Sequence, residues 1–322
     1  MKAAVVYKKG ELPQYTDFPD PIVENENQLL IAVKASAVKN LDKNIASGKH
    51  YSADDKAAAK VAGGDGVGLL ADGTRVYALG VTGMIAEKAI VDKHKMVKVP
   101  EGLDDCTAAA LPNAVAGSAM ALRFRADIQK GETVLINGAT GVTGKIAIQL
   151  ARHYGAEKII VTGRKEETLK ALLALGADEY VVLTQPEEDF TAQLKKIHTT
   201  TPIDIIIDYL WGRSAELILK SLKGDGSFTP KTRFVSVGSL GGDTIQLSSE
   251  ILRSVDLQLS GSGFGSWTKM EMKQLITEIL PEMFDLAVSK KLVIETVSVA
   301  IQDIEKAWDM PLTDGKRLVV TI

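Results

Sequence analysis

The stretch that decides the fold is Val134-Leu135-Ile136-Asn137-Gly138-Ala139-Thr140-Gly141-Val142-Thr143-Gly144-Lys145. Its apolar start is typical of a buried strand, and its glycines precede a segment with helical periodicity. Gly138 and Ala139 predict a tight exit from the strand. Gly141 predicts a close backbone approach to a pyrophosphate, and Gly144 predicts close packing of the helix on the sheet. Backbone N–H groups at the start of such a helix hold phosphate charge. Since a strand and a helix flank the glycines, we interpret the stretch as a dinucleotide-binding loop rather than an ordinary turn.

Around this loop, short apolar strands alternate with amphipathic helices from Glu132 onward. The strand-like runs are residues 133–136, 158–161, 180–183, 204–208, 233–237 and 257–260. Such alternation predicts a parallel sheet covered by helices on both faces. Six strands of this kind indicate a doubly wound dinucleotide-binding fold. The sixth run is expected at the edge of the sheet, where it could pair across a twofold axis.

The regions on either side of this pattern have the texture of β-structure. Strand-like runs divided by turns occur at residues 3–7, 28–34, 75–78 and 88–91. They favour a small, barrel-like β domain. The tail from Leu292 returns to strand-like sequence and is expected to fold back onto this domain. The predicted domains are residues 1–112 with 290–322, and residues 113–289.

Composition and charge exclude several classes of protein. The chain has 322 residues, and 45% of them are hydrophobic, which is too many for a disordered chain. The formal net charge of −3 offers no basic surface, so no nucleic-acid partner is expected. Cys106, the single cysteine, allows neither an intramolecular disulfide nor a multi-thiolate zinc site. The sequence shows no signal-peptide core and no run of about 18 apolar residues. We therefore expect no membrane partner and a reducing compartment, most simply the cytoplasm.

The end of the second strand bears on the choice of cofactor. An NAD site places an acid about 20 residues after the loop, where it bonds the ribose 2′-hydroxyl. Here Arg164 and Lys165 stand at that location instead. An arginine grips a 2′-phosphate bidentately and a lysine adds a point charge, which favours NADPH. The alternative is a solvated basic turn. The predicted cofactor site comprises Gly138, Ala139, Thr140, Gly141, Val142, Thr143, Gly144, Thr162, Gly163, Arg164, Lys165, Gly238, Phe264 and Gly265.

Several further segments resemble the medium-chain dehydrogenase/reductase superfamily, in its zinc-independent quinone oxidoreductase branch. They are residues 33–42, Gly63-Gly64-Asp65 with Gly68, residues 109–112, residues 131–139, Leu175-Gly176-Ala177-Asp178 and Gly315-Lys316. The resemblance implies an α/β protein with a GroES-like, β-rich catalytic domain and an inserted, doubly wound Rossmann domain. It also implies a homodimer.

The resemblance also bears on metal and substrate residues. Zinc-containing members carry a ligand cysteine where this chain has Ser36, and a His-Glu pair where it has Gly64-Asp65. No metal site is therefore expected. Lys39 replaces an asparagine that lines the substrate pocket in the family. Lys39 and Asn40 are the predicted donors to the substrate oxygen, with Tyr51 as a more distant candidate. The alternative for Lys39 is a side chain that points to solvent.

The reaction class follows from the loss of the metal ligands. Without a Lewis acid, oxidation of simple alcohols loses its usual alkoxide stabiliser. Reduction of a quinone or of an α,β-unsaturated carbonyl compound needs only a positioned hydride donor and a group that polarises the carbonyl. The leading hypothesis is therefore an NADPH-dependent reductase that transfers hydride directly, without metal, to such a small molecule. The rival is a non-catalytic NADPH-binding protein with a regulatory or structural role on the same scaffold.

Overall fold

The structure, a computed structural model, describes residues 1–48, 59–313 and 315–322. It divides into two compact units, of which the first comprises Met1–Pro112 and Gln274–Ile322 and the second Asn113–Lys273. Within the described residues, no helix is long and apolar enough to cross a membrane.

The amino-terminal part of the first unit is mostly β-structure. Its elements are β1 Lys2–Val6, β2 Gln14–Asp17, β3 Gln28–Val38, helix α1 Asn40–Ala46, β4 Lys60–Val61, β5 Asp65–Leu69, β6 Arg75–Gly80 and β7 Lys88–Lys98. Strands β2, β1 and β4 form one antiparallel sheet. Strands β3, β5, β6 and β7 pair in turn, and β7 pairs back to β3, which closes a ring. This closed ring agrees with the predicted barrel-like domain, and its core includes Ile31, Val33, Val76 and Val91.

The second unit alternates strands and helices. Its elements are α2 Asp105–Met120, which begins before the unit boundary, β8 Thr133–Asn137, α3 Val142–His153, β9 Lys158–Gly163, α4 Glu166–Leu173, β10 Glu179–Val182, α5 Glu187–Thr200, β11 Ile205–Asp208, α6 Gly212–Ser221, β12 Thr232–Ser236, α7 Ser249–Ser254 and β13 Leu257–Gly261. A π-helical turn follows α2 at Ala121–Arg125, and a 3₁₀ turn follows β13 at Phe264–Ser266.

The strands of the second unit form the predicted doubly wound sheet. All pairings are parallel, in the order β10-β9-β8-β11-β12-β13. Every residue of β8 and β11 is buried, as expected for central strands covered on both faces. The prediction that the sixth strand lies at the edge is confirmed. The strand order reverses between β8 and β11.

The carboxyl-terminal part of the chain contains α8 Lys269–Gln274, a π-helical turn Leu275–Ile279, α9 Leu280–Val288, β14 Thr296–Ala300, a 3₁₀ turn Ile301–Asp303, α10 Ile304–Ala307 and β15 Arg317–Thr321. β15 pairs with β14 on one side and with β3 on the other, so the tail returns to the first unit as predicted.

The structure also assigns residues 274–289 to the first unit, whereas the sequence-based division placed them in the second. The physical reason is burial of α9. Its Met283 and Phe284 are fully buried, and the Phe284 ring meets the Tyr77 ring of β6 edge-on at 6.3 Å.

Candidate functional site

The carboxyl ends of the parallel strands carry the predicted cofactor residues. The glycine loop follows β8, and Gly163 ends β9, with Arg164 and Lys165 directly after it. Gly238 follows β12, and Phe264 and Gly265 follow β13. Because the strands are parallel, these segments meet at one edge of the sheet. Ligands of such sheets bind at this edge, where the strand order reverses. Phe264 and Gly265 are exposed there, and the described contacts join Phe264 to Trp267 rather than to the loop.

The glycines of the loop serve different purposes. Gly138 has a φ of +84°, which favours glycine, and an added Cβ would lie 2.8 Å from the Leu210 side chain. A Cβ on Gly144 would lie 2.5 Å from Cα of Ala139, so the fold itself requires this glycine. Gly141 is different, because its φ of −78° suits any residue and its Cβ would meet nothing nearer than the Gly138 carbonyl oxygen at 4.0 Å. The backbone at Gly141 therefore faces open space that a ligand can enter.

The first turn of α3 supplies the hydrogen-bond donors of this loop. Helix α3 starts after Gly141, and the first N–H groups of a helix have no intrahelical acceptor. Val142 and Thr143, both half-buried, present such groups beside the open face of Gly141. A loop of this form fits a pyrophosphate.

Two exposed cations stand at the end of β9. The side chains of Arg164 and Lys165 have no ion pair or hydrogen bond with any described residue. The neighbouring Glu166 does not neutralise them, because its carboxylate binds Lys170 at 3.0 Å and the Tyr180 hydroxyl at 3.0 Å. These two contacts also lower the pKa of Glu166. Arg164 and Lys165 are therefore available to an anion.

Thr162 does not fit its predicted place among the cofactor contacts. Its side chain is fully buried. Its hydroxyl donates to Oδ1 of Asn137 at 2.6 Å and accepts from the backbone N–H of Gly138 at 3.2 Å. The Ala139 N–H also points inward, to the carbonyl oxygen of Thr162 at 3.0 Å. Thr162 thus supports the loop from inside the sheet.

Asn137 and Asp208, both fully buried, were missed by the sequence analysis. Nδ2 of Asn137 donates to Oδ1 of Asp208 at 2.7 Å and to Oγ of Ser214 at 2.9 Å. Burial raises the pKa of Asp208, and hydrogen bonds from Leu210, Trp211 and Asn137 oppose that rise. The available signal was a polar residue at the end of each of two mostly apolar strands.

Lys39, a predicted donor to substrate, is occupied within the first unit. It is 2% exposed, and its ammonium binds the Ala37 carbonyl oxygen at 2.9 Å, Oδ2 of Asp42 at 3.0 Å and Oδ1 of Asp65 at 2.5 Å. An ammonium has three hydrogens, so none remains for a substrate. Burial lowers the pKa of Lys39, but Asp42 and Asp65 more than offset this and hold the pKa above its ordinary value. Neither a substrate donor nor a solvent-facing side chain fits this geometry.

The groups around Lys39 complete a buried ionic cluster. The Tyr77 hydroxyl donates to Oδ2 of Asp65 at 2.8 Å, and the Gly64 N–H donates to Oδ1 of Asp42 at 3.0 Å. Arg317 is buried nearby in β15, and burial lowers its pKa while Asp42 and Asp65 oppose that shift. We call Lys39, Asp42, Asp65, Tyr77 and Arg317 the ionic cluster.

A zinc ion does not fit the residues at the corresponding positions. Ser36 donates its hydroxyl hydrogen to the carbonyl oxygen of Asp65 at 2.7 Å, and the Asp65 carboxylate is taken by Lys39 and Tyr77. Among the described ranges of the chain, no group of three or more His, Cys, Asp or Glu residues could hold a metal ion.

Asn40 is the remaining predicted donor that the structure describes. It is exposed and is the first residue of α1. The preceding N–H of Lys39 donates to Oδ2 of Asp42 at 2.9 Å, which fixes the start of that helix. Tyr51, the third candidate, lies outside the described residues.

The structure has the features of a dinucleotide-dependent oxidoreductase of the medium-chain type. They are the doubly wound sheet, the glycine loop that opens a helix, and the β-rich unit with a closed ring of strands. Residues 142–280 match the zinc-binding dehydrogenase family. The human quinone oxidoreductase is 32% identical over 286 residues, covering 85% of this chain and 83% of that protein. An Emericella nidulans protein described as a probable NADPH-dependent quinone reductase is 27% identical over 348 residues, covering 96% of each.

Solved structures show the same relationship. The Thermus thermophilus quinone oxidoreductase, determined also in complex with NADPH, superposes with a TM-score of 0.77 at 25% identity and full coverage of both chains. The chain belongs to the zinc-independent quinone oxidoreductase branch of the medium-chain dehydrogenase/reductase superfamily, and it is an oxidoreductase. The expected α/β fold class is confirmed.

Proposed function

We propose that the protein is an NADPH-dependent reductase that transfers hydride to quinones, or to α,β-unsaturated carbonyl compounds, without a metal ion. The observation that carries the proposal is the pair of cations, Arg164 and Lys165, left without an ionic partner among the described residues beside a glycine loop whose backbone is open at Gly141. The quinone oxidoreductase relatives support the substrate class.

The residues of the second unit fit NADPH in two places. The open face of Gly141 and the N–H groups of Val142 and Thr143 receive the pyrophosphate. Arg164 and Lys165 bind the 2′-phosphate, which NADH lacks. Bound NADPH supplies the hydride.

The chain must then stabilise charge on the substrate oxygen. When a quinone or enone accepts hydride, the electrons move onto its oxygen, and that anion is costly in a partly dry site without a hydrogen-bond donor. Lys39 has no free hydrogen for this task. The Asn40 amide is an exposed donor, and we assign it this role.

Cofactor consumption with a panel of quinones and enals tests the proposal. The expected result is oxidation of NADPH only when substrate is present, at a rate unchanged by dialysis against a chelator. Binding of NADPH without consumption of it would favour the non-catalytic alternative. A rate that falls on chelation and returns with metal would contradict the metal-free step.

Cofactor choice has its own test. Arg164→Ala should weaken NADPH binding about tenfold or more, because a charge-assisted contact contributes about 1.5–3 kcal/mol. The same change should leave the weaker binding of NADH unaltered. Lys223→Ala, after α6, removes an exposed cation already paired with Glu250 and is the matched control. Equal affinities of the unaltered protein for both cofactors would refute the assignment of these cations to the 2′-phosphate.

We also propose a homodimer formed through β13. This edge strand pairs only with β12 among the described strands, and Gln258 and Leu259 are exposed on it. An open strand edge pairs readily across a twofold axis. Light scattering should show twice the chain mass of 34.5 kDa, and a monomer at micromolar concentration would exclude this interface.

A further inference from the structure

A chain of buried hydrogen bonds runs beneath the glycine loop, across the ends of three strands. It starts at the Gly138 N–H, which donates to Oγ1 of Thr162 on β9 at 3.2 Å. The Thr162 hydroxyl donates to Asn137 on β8 at 2.6 Å, and Asn137 donates to Asp208 on β11 at 2.7 Å. The loop backbone is thereby linked to a buried carboxylate at the point where the strand order reverses.

The carboxylate of Asp208 also holds the turn after β11. Its Oδ1 accepts from the backbone N–H of Leu210 at 3.0 Å, and its Oδ2 accepts from that of Trp211 at 3.0 Å. Trp211 has a φ of +57°, the left-handed region that is strained for a bulky residue. Such a conformation persists only where surrounding contacts hold it. Asp208 supplies those contacts.

The turn held by Asp208 packs directly on the loop. The Leu210 side chain occupies the space in which a Cβ of Gly138 would lie, at 2.8 Å. On the other side, the Leu210 carbonyl oxygen accepts from Gly241 at 2.7 Å, and the Asp208 carbonyl oxygen accepts from Gly238 at 3.2 Å. A shift of this turn would therefore be transmitted to Gly138 and to the segment after β12.

An apolar residue at position 208 would satisfy the core without the cost of burying a charge. The preceding residues of β11 are isoleucines, all fully buried. The carboxylate of Asp208 instead accepts hydrogen bonds from Asn137, Leu210 and Trp211, where the strand order reverses. We propose that Asp208 is a positioning residue, which acts through Asn137 and Thr162 to hold the glycine loop in the shape that receives the pyrophosphate. This inference rests on the proposed use of NADPH.

The experiment measures the Kd for NADPH and the thermal midpoint of three variants. Asp208→Ala removes all carboxylate contacts, so the glycine loop is no longer held in place. The Kd for NADPH should rise about tenfold or more, because a shift of about 1 Å in a preorganised binding group weakens its contacts. Asp208→Asn keeps an oxygen at the Oδ1 position and should recover most of the affinity. Thr162→Val keeps the shape of the side chain but removes the hydroxyl, and should also raise the Kd.

Asp204→Ala is the matched control. Asp204 lies just before β11, at the amino ends of the strands and therefore away from the glycine loop. Its carboxylate accepts from the Thr133 N–H at 2.8 Å. Its loss should lower the thermal midpoint while the Kd for NADPH stays unchanged. A purely structural Asp208 would behave in the same way.

The outcomes separate the two proposals. If the unaltered protein does not bind NADPH, both the proposed function and this inference fail. If the unaltered protein binds NADPH and Asp208→Ala and Thr162→Val bind it equally well, only the inference fails. If Asp208→Ala does not fold, an unchanged Kd in Thr162→Val still overturns the inference, whereas an increased Kd supports it.

Discussion

Substitution by alanine should affect the stability of the protein very differently at two glycines of the same loop, Gly141 and Gly144. At Gly141 an added methyl group enters open space, and the backbone angles already suit an alanine. Gly141→Ala should therefore alter the free energy of unfolding by no more than about 1 kcal/mol. At Gly144 the same methyl would lie 2.5 Å from Cα of Ala139, in backbone that cannot move aside. Gly144→Ala should cost about 1–3 kcal/mol or more.

The affinity for NADPH should be sensitive to a larger side chain at Gly141, although the stability is not. Gly141→Val places two further carbons where the pyrophosphate approaches the N–H groups of Val142 and Thr143. Each hydrogen bond to a charged group is worth about 1.5–3 kcal/mol, so loss of two should raise the Kd for NADPH about 100-fold or more. Fluorescence titration gives the Kd, and urea unfolding followed by circular dichroism gives the stability. A Gly141→Val protein that is stable and binds NADPH normally would refute this placement of the pyrophosphate.

Other predictions concern the first unit. Lys39→Met should destabilise the protein by about 3–5 kcal/mol, because it leaves buried carboxylates unpaired. Lys170→Met, at an exposed pair, should leave the stability in the same urea titration nearly unchanged. Burial and Asp65 raise the pKa of Tyr77 well above its ordinary 10.0, so the unfolded chain loses this proton first and stability should fall as the pH rises above about 10. In Tyr77→Phe the free energy of unfolding should fall less steeply with pH. An unchanged slope would argue against Tyr77 as the source of this pH dependence. Asn40→Ala should lower kcat about 100-fold with an unchanged Kd for NADPH, and wild-type turnover would place the oxyanion donor elsewhere.

Much of the second unit could be predicted because its signals are local. Each strand, each helix, the glycine loop and the pair of cations is recognised from a run of neighbouring residues. Parallel strands then bring their carboxyl ends to one edge by geometry alone. The positions of the loop, Arg164 and Lys165 follow from these patterns.

The role of Lys39 could not be read in this way. The position of its side chain is decided by the ion pair with Asp65, which is 26 residues away in the sequence. Whether a lysine faces solvent or is buried in an ion pair depends on partners brought together by the closed strand ring. The residues next to Lys39 in the sequence therefore do not show which distant partners it contacts.

The sequence by itself determined the doubly wound sheet and the loop that opens α3, because periodicity and glycine spacing act over short distances. Only the tertiary structure decided which polar residues are buried. It made Thr162 a support of the loop, joined Asn137 to Asp208 across two strands, and closed Lys39 into the ionic cluster. The physical reason is that the cost of burying a polar group depends on its hydrogen-bond partners, and these partners come from segments far apart in the chain.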